Sequence, residues 1–262
     1  MNAPDQPFVL REDRDGIATL TMNRGDRFNP LSAGMIAAMV DLLEGIARDA
    51  STRVVILKGG GRGFCAGHDL KEMQANRSEA WLNAMFESCS DLMIRMTQLP
   101  QPVIAQVHGI ATAAGCQLTS MCDLAVAASD AKFALPGVNV GLFCSTPAVG
   151  VARNIGRKRV MEMLLLGEPI TAQTALEWGL VNRVVPADRL EAETRHLAER
   201  IASKSAAVIA MGKKAFYQQM DKTLSGAYAM TGDTMACNML LQDNQEGIDA
   251  FLNKRHPRWA HR

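Results

Sequence analysis

Residues 103–118, VIAQVHGIATAAGCQL, decide the fold, because an apolar strand runs directly into a segment of small residues. A second stretch, GRGFCAGHDL at 61–70, follows the β-branched strand 53–57 in the same way. Each stretch leads into a predicted helix, which places free backbone N–H groups at the positive end of that helix. Two such groups aimed at one point could hold the negative oxygen of a reaction intermediate. Small residues also allow tight packing between a helix and a strand, so a purely structural role stays open.

Strand and helix signals alternate over the first half of the chain, whereas helical signals dominate the second half. Further strands are predicted at 16–22, 124–128 and 180–185, and helices at 157–167, at 171–179 and, in two or three pieces, at 205–253. The pattern becomes entirely helical near residue 195, and no internal repeat or low-complexity linker interrupts it. We therefore predict an α/β core over residues 1–195 and a helical region over 196–262, within one continuous domain.

Polar residues mark three of the predicted helix starts. Ser32 and Ser78 each precede a run of apolar residues at helical spacing, which is the position that an N-cap serine takes. Asp188 with Glu191 resembles a capping box, in which two side chains satisfy the first free N–H groups of a helix. This last helix is expected to end at about residue 203.

The composition excludes several classes of protein. The chain has 262 residues, 48% of them hydrophobic and 21% charged, which excludes a disordered protein. With 28 basic and 27 acidic residues the net charge is +1, so no broad basic surface is expected to bind nucleic acid. No apolar run approaches the roughly 18 residues of a membrane-spanning helix, so no membrane partner is expected.

The cysteines and the first residues of the chain bear on its compartment. None of the six cysteines forms a CxxC motif or pairs with histidine at a zinc-like spacing, and most lie in apolar stretches. We therefore predict a reduced, intracellular protein without a structural metal. The start, MNAPDQPFVLRED, has no basic segment followed by an apolar one, so no secretion signal is expected. The expected location is the cytoplasm, or the mitochondrial matrix if a presequence has been removed.

Common catalytic motifs are absent from the sequence, which has no P-loop, no GxGxxG between a strand and a helix, and no HExxH or GxSxG. Instead, the order and spacing of six stretches resemble the crotonase, or enoyl-CoA hydratase/isomerase, superfamily over nearly the whole chain. These stretches are TMNRGDRFNPLS, GRGFCAGHDLKEM, VHGIATAAGCQLTSMCDLAVA, LPGVNVGL, GEPITAQTALEWGLVNRVVP and EGIDAFLNKR. Within the superfamily, PGVNVGLFCSTP and the glutamine of GCQL are typical of one particular branch.

The resemblance implies a crotonase-like ββα spiral with a helical C-terminal region that trimerises, giving a homotrimer or a dimer of trimers. It also implies an acyl-CoA thioester as the ligand, with coenzyme A carried as part of the substrate and no covalently bound cofactor. The thioester carbonyl oxygen then lies between two backbone N–H groups, which map to His68 and Ala114. Alanine can donate its N–H as glycine does, where its dihedral angles are allowed.

Several further residues map to family positions that contact coenzyme A. The side of the ligand that carries pantetheine and adenine maps to Ala66, His68, Asp69 and Leu70. The basic residues that occupy such positions, or lie beside one, are Arg27, Arg62 and Lys254. Each of these three could equally be an ordinary solvated surface charge.

The two glutamates that hydratases of this family use are both replaced. Their positions hold Gln117 and Gly137, and the position of a third carboxylate found in some relatives holds Ser145. Gln117 can still hydrogen-bond a water molecule, whereas Gly137 offers only space, which a restored glutamate would have to fit. One positioned acid or base is worth about 10²–10⁴ in rate. The remaining candidates for acid–base or nucleophilic chemistry are His68, His108, Cys144 and Ser145.

Three functions stay open on this basis. The first is an acyl-CoA-binding enoyl-CoA hydratase/isomerase, by resemblance, that keeps the pair of N–H donors. The second is another enolate-stabilised reaction of an acyl-CoA, such as thioester hydrolysis, decarboxylation or isomerisation, with the proton carried by His68 or by the substrate. The third is a protein that binds acyl-CoA without turning it over.

Overall fold

The computed structural model describes residues 6–261 of the chain. Its strands are β1 (Val9–Arg14), β2 (Ile17–Met22), β3 (Val54–Gly59), β4 (Val103–Val107), β5 (Ile110–Thr112), β6 (Leu124–Ala128), β7 (Lys132–Ala134), β8 (Ile170–Thr171) and β9 (Arg183–Val185). Its helices are α1 (Ala33–Ala47), α2 (Leu70–Ala75), α3 (Glu79–Gln98), α4 (Ala114–Met121), α5 (Ser145–Val151), α6 (Arg157–Leu166), α7 (Ala172–Trp178), α8 (Leu190–Ala202), α9 (Ala206–Gln219), α10 (Leu224–Met239) and α11 (Gln242–Leu252). Strands and helices are interspersed as far as β9, and in the described chain only helices follow it, as the sequence pattern predicts.

The strands of the described chain form two sheets. The larger sheet has the order β1-β2-β3-β4-β6-β9, in which β1 and β2 are antiparallel and the later pairs are parallel. The smaller sheet has the order β5-β7-β8, with β5 and β7 parallel. Because β4 belongs to the larger sheet and β5 to the smaller one, the chain changes sheet inside the stretch 103–118, directly before α4.

The central strands of the larger sheet bury side chains on both faces, as parallel strands do. Val55 lies in the main core together with residues of α1 and α3. The adjacent residues Val54 and Ile56 point to the other face, where they pack with Leu190 and Ala198 of α8. The predicted boundary near residue 195 therefore lies inside a helix that covers the sheet, and the helical extension beyond the sheet consists of α9–α11.

Two of the three predicted helix caps are confirmed. The hydroxyl oxygens of Ser32 and Ser78 each accept the backbone N–H three residues further on, at 3.2 and 3.3 Å. The predicted capping box of Asp188 and Glu191 is wrong. A short 3-10 turn precedes α8 and takes up Asp188, so that Arg189 becomes the N-cap residue and none of the described side chains caps this helix.

Helix α9 is attached to the core by a buried charged group. The Lys213 side chain is only 7% exposed, and its Nζ lies 2.6 Å from Oδ2 of Asp123. The same ammonium donates to the carbonyl oxygens of Met96 and Gln101, at 2.9 and 3.0 Å. Tyr217, one turn further along α9, donates to Oδ1 of Asp123 at 2.9 Å. Asp123 thereby joins α9 to the loop between α4 and β6.

The helical extension α9–α11 exposes many large apolar side chains. The exposed fraction reaches 79% at Leu240 and 81% at Phe251. The other large exposed apolar residues of this region are Phe216, Met220, Leu224, Tyr228, Met235, Met239, Ile248 and Leu252. Such a surface is typical of a region that packs against another protein chain. No helix within residues 6–261 combines the length and the apolar character needed to cross a membrane.

Candidate functional site

A cavity of about 660 Å³ opens beside two loops, which in chain order are the first glycine-rich loop, residues 60–69, and the second glycine-rich loop, residues 108–115. Most of its wall is apolar and includes Phe86, Leu142 and Phe143, while Arg27 and Lys71 are its cations. Residues singled out from the sequence that line the same cavity are Ala66, His68, Asp69, Leu70, Ala114, Gly137, Cys144 and Ser145. The structure therefore brings most of the predicted site residues together in one place.

The first glycine-rich loop is held in place by backbone pairing with the segment 28–31. The N–H of Ala66 donates to a carbonyl oxygen of this segment at 2.8 Å, and the N–H of Leu31 donates to the carbonyl oxygen of Gly67 at 2.8 Å. Leu31 and His68 form an isolated parallel bridge. The N–H of Asp69 also donates to the carbonyl oxygen of Leu31, at 3.4 Å, so the backbone of His68 is fixed by bonds that its neighbours make on both sides.

The second loop turns at Ala113, whose backbone is strained. Ala113 has φ 49° and ψ −120°, and positive φ is a region that favours glycine. Its N–H donates to the carbonyl oxygen of Ala134 at 2.9 Å, and its own carbonyl accepts the N–H of Gln117 at 3.1 Å. These two bonds hold the turn from both sides, so that α4 begins at the next residue, Ala114. Strain of this kind costs about 1–3 kcal/mol and concentrates at functional sites.

Ala113→Gly is expected to raise the free energy of unfolding by about 1 kcal/mol. Glycine removes a steric cost of about 1–3 kcal/mol but loses about 0.5–1 kcal/mol through the greater entropy of its unfolded chain. Urea unfolding of both proteins measures the difference. Ala114→Gly is the control, because its backbone is already helical and the change is expected to be destabilising. A lower free energy of unfolding for Ala113→Gly than for the wild type would contradict the claim that the backbone is strained at Ala113.

The backbone N–H groups of His68 and Ala114 find no acceptor among the described residues, although both residues line the cavity. Gly67, next to His68 in the chain, is close to Ala114 in space. A Cβ added to Gly67 would lie 3.2 Å from the Ala114 nitrogen and 2.9 Å from the Cβ of Ala113. Gly67 also has φ 93°, so both space and conformation require glycine here. Two free donors in a mainly apolar cavity suit an oxygen that carries or develops negative charge.

Gly137, the position that the resemblance assigns to a second glutamate, is closed by the chain itself. A side chain at Gly137 would overlap the carbonyl oxygen of Leu142 and would approach Sγ of Cys144 within 2.8 Å. Leu142 is held there because its N–H donates to the Gly137 carbonyl at 2.9 Å, while the Gly137 N–H donates to Sγ of Cys144 at 3.3 Å. The expectation that Gly137 leaves space is therefore wrong, because the following loop folds back over it.

Two polar side chains close to the free donors are themselves short of partners. The Oε1 atom of Gln117 is buried and has no hydrogen-bond partner in the described chain. Nδ1 of His68 lies 3.4 Å from the carbonyl oxygen of Leu31, whereas Nε2 is buried without a partner. Because a carbonyl can only accept, Nδ1 carries the hydrogen and Nε2 has the lone pair. Burial lowers the pKa of His68, whose ring packs edge-on against Phe86, so the imidazole is neutral at pH 7.

The predicted basic contacts separate into one residue that lines the cavity and two that do not. Arg27 lines the cavity. Arg62 instead places its guanidinium over the ring of Phe28, 4.8 Å from the centroid. Lys254 is exposed just beyond the end of α11. Gln117 also lies outside the lining and is buried in α4, three residues after Ala114.

Four other candidate side chains make local contacts instead of presenting free reactive groups. Asp69 caps α2 by accepting two backbone N–H groups, at 3.0 and 3.2 Å. The Ser145 hydroxyl donates to a carbonyl of its own turn at 3.4 Å. Burial raises the pKa of the Cys144 thiol, and Nε2 of His108 donates to a carbonyl of the first loop at 2.9 Å. Between residues 6 and 261, no three His, Cys, Asp or Glu side chains are grouped so as to hold a metal ion.

Sequence analysis missed two features of this site. The apolar wall formed by Leu142 and Phe143 was not predicted, because these residues lie in a loop without periodicity. Asn29 lies within the motif TMNRGDRFNPLS, which predicts no role for it, although its side chain is completely buried. A polar residue in the middle of such a motif is the signal that could have identified it.

Comparison with known proteins places the chain in a family. The sequence model of the enoyl-CoA hydratase/isomerase family matches residues 12–262. The chain therefore belongs to this family, the crotonase superfamily, and has its α/β fold with a helical C-terminal region.

Individual relatives support a finer placement. The chain is 45% identical to mouse enoyl-CoA hydratase domain-containing protein 3, mitochondrial, over 95% of this chain and 83% of the relative. An enoyl-CoA hydratase structure from Mycobacterium smegmatis has a TM-score of 0.95 at 50% identity, over 97% of this chain and 99% of that one. The human domain-containing protein 3 structure has a TM-score of 0.91 at 44% identity, over 97% and 100%. The resemblance predicted from the sequence, including its branch, is confirmed.

Proposed function

We propose that this protein binds acyl-CoA thioesters, with coenzyme A as part of the ligand and not as a resident cofactor. In the complex, the thioester carbonyl oxygen accepts hydrogen bonds from the backbone N–H groups of His68 and Ala114. The observation that carries this proposal is the pair of unpartnered donors on the wall of one mainly apolar cavity in the described chain. Such donors stabilise negative charge that develops on the oxygen.

The rest of the cavity fits the two ends of such a ligand. Its apolar wall suits an acyl chain. Arg27 and Lys71 supply positive charge for the phosphates of coenzyme A. Arg62 and Lys254 lie outside this lining. Either of them can contact coenzyme A only if the nucleotide extends beyond the cavity, or if a second copy of the chain brings the residue to the cavity.

Calorimetry is expected to show binding of a short or medium acyl-CoA that is about tenfold or more tighter than binding of the matching S-alkyl thioether. The thioether lacks the carbonyl oxygen, so it forgoes two hydrogen bonds worth about 1 kcal/mol each. Free coenzyme A is the control for the nucleotide part. Equal affinities for thioester and thioether would refute the role of the two N–H groups, and no binding of any acyl-CoA would refute the whole proposal.

The buried, neutral His68 favours a second candidate function, an enolate-stabilised reaction other than hydration. Removal of a proton from the α-carbon leaves an enolate, whose oxygen the two N–H groups can hold. The lone pair on Nε2 of His68 is an acceptor for that proton, although the ring has to turn first because Nε2 is buried. The substitution His68→Ala removes this base and keeps the backbone N–H.

Exchange of the α-hydrogens of a bound saturated acyl-CoA in D₂O distinguishes the enolate-forming reaction from binding without turnover. Mass spectrometry is expected to show exchange by the wild type and its loss in His68→Ala if the imidazole removes the proton. Binding without exchange supports the protein that holds acyl-CoA without turnover. Exchange that persists in His68→Ala excludes the imidazole as the base.

The exposed apolar surface of α9–α11 is assigned to contact with further copies of the chain, in a homotrimer or a dimer of trimers. The double substitution Tyr228→Glu with Phe251→Glu is expected to dissociate the assembly, because both side chains are exposed in the single chain. Sedimentation at micromolar concentration measures the mass. Leu10→Glu, at an exposed residue of β1, is the control. A wild-type monomer of 28.4 kDa would contradict the assignment.

The chain is further assigned to a reducing compartment, the cytoplasm or the mitochondrial matrix. Its six cysteines are free thiols, five of them buried. The mouse relative is named as mitochondrial. Protein isolated without reductant and then unfolded is expected to react with six equivalents of a thiol reagent, and a smaller number would indicate an oxidising compartment.

A further inference from the structure

We infer that Asn29 positions both N–H donors, by holding the first glycine-rich loop and, through that loop, the second. The inference rests on the proposed function, since it concerns the same pair of donors. Asn29 is completely buried and does not line the cavity, so it acts through other residues and not on the ligand.

Every polar atom of the Asn29 side chain is used. Its Nδ2 lies 2.9 Å from the carbonyl oxygens of Gly60 and Gly63 and 3.1 Å from that of Phe64, and its two hydrogens are shared among these three acceptors. Its Oδ1 accepts the N–H of Arg24 at 2.9 Å. One amide group therefore fixes three carbonyl groups of the first loop, directly before the residues that lead to the free donor of this loop.

Backbone and side chain both restrict this position to asparagine. Asn29 has φ 51°, a left-handed conformation in which asparagine is among the few residues other than glycine that are tolerated. An aspartate would accept the backbone but would direct negative charge at three carbonyl oxygens. The loop is adapted to the amide as well, because a Cβ on Gly59 would lie 2.8 Å from Nδ2 of Asn29.

The first loop transmits the restraint to the second loop. The N–H groups of Phe64 and Cys65 donate to carbonyl oxygens of the second loop, each at 3.0 Å. The carbonyl oxygen of Cys65 in turn accepts the N–H of Thr112 at 2.9 Å. A Cβ on Gly115 would overlap this same carbonyl, so the first turn of α4 lies directly against the loop that the asparagine holds. Release of the amide therefore loosens both donors together.

The test compares Asn29→Gly with Gln101→Ala in the full chain. Glycine keeps the positive φ accessible and removes the amide. Gln101 is a matched control, because it is also a buried amide, donates to the carbonyl oxygen of Ile46 at 2.8 Å and does not line the cavity. Two readouts report the donors specifically: the affinity ratio of an acyl-CoA to its S-alkyl thioether, and the infrared stretching frequency of the bound, ¹³C-labelled thioester carbonyl.

The ratio of the affinity for the acyl-CoA to that for its thioether is expected to be about ten in the wild type and in Gln101→Ala. It is expected to fall towards one in Asn29→Gly. The carbonyl frequency is expected to return to its value in free ligand in Asn29→Gly alone, even where both variants lose similar thermal stability. An unchanged ratio and frequency in folded Asn29→Gly overturns the inference. A wild-type ratio of one overturns the proposed function instead, which keeps the two failures distinct.

A second variant covers the case in which Asn29→Gly does not fold. Asn29→Ser retains one donor in place of two and is expected to give an intermediate ratio and an intermediate carbonyl frequency. Wild-type values for both quantities in Asn29→Ser would overturn the inference equally.

Discussion

Crotonyl-CoA is expected to be hydrated about 10⁴-fold or more below the usual enzyme range of about 1–10³ s⁻¹, even at saturating substrate. Hydration needs one group to activate water and one to move a proton, and neither Gln117 nor Gly137 can take up a proton. The double substitution Gln117→Glu with Gly137→Glu is expected not to restore the reaction, because the carbonyl oxygen of Leu142 occupies the space beside Gly137. Loss of enoyl thioester absorbance measures the rate.

The two single variants serve as controls for this prediction. Gln117→Glu keeps the shape of the side chain and returns one carboxylate, so it is expected to fold. Gly137→Glu is expected to lower thermal stability, because the loop over Gly137 has to open. Recovery of hydration in the double variant would show that this loop opens readily. Turnover by the wild type within the usual range would show a different acid and base, and His68→Ala is then the first variant to measure.

Lys213→Ala is expected to lower the free energy of unfolding by about 3–5 kcal/mol, the usual cost of removing one partner of a buried ion pair. The variant leaves the carboxylate of Asp123 with Tyr217 and the N–H of Val103 as donors and no cation. Burial lowers the pKa of Lys213, while the contact with Asp123 at 2.6 Å acts in the opposite direction and favours the charged ammonium. Urea unfolding monitored by circular dichroism gives the free energy.

Two comparisons distinguish the buried pair from ordinary surface charge. Arg48→Ala removes an exposed ion pair with Glu44 at 3.8 Å and is expected to cost at most about 0.5 kcal/mol. Lys213→Met with Asp123→Asn removes both buried charges and is expected to cost less than the sum of the single changes. A loss for Lys213→Ala as small as that for Arg48→Ala would show that α9 does not depend on this pair.

Local sequence patterns were sufficient for most of the larger elements of the fold, although strand β1 and helix α5 were not predicted. Strands such as β3 and β4 are largely apolar, and Ser32 and Ser78 stand directly before helical periodicity. The short strands β5, β7 and β8 were missed because two or three residues carry no periodicity and are defined only by partners distant in sequence. The capping box at Asp188 failed because a 3-10 turn uses the same residues.

The residues of the candidate site were predictable to a similar extent. The resemblance assigned His68 and Ala114 to a shared point, and the structure places both on the wall of one cavity. The closure of Gly137 was not predictable, because it depends on how the next residues fold back over it. The role inferred for Asn29 was hidden for the same reason, since its three acceptors lie more than thirty positions further along the chain.

The dependence of the two donors on three separate segments has a consequence for the order of folding. Segment 28–31 and the first loop leave the ribosome before the second loop, which ends near residue 115. At a translation rate of about 5–20 residues per second, synthesis of the second loop ends about 2–9 s after synthesis of the first. An acyl-CoA bound as proposed cannot assist the nascent chain during that interval, because Ala114, the second donor, has not yet been synthesised. Once the three segments have joined, an acyl-CoA that binds as proposed and is in excess of its dissociation constant stabilises the folded chain by mass action.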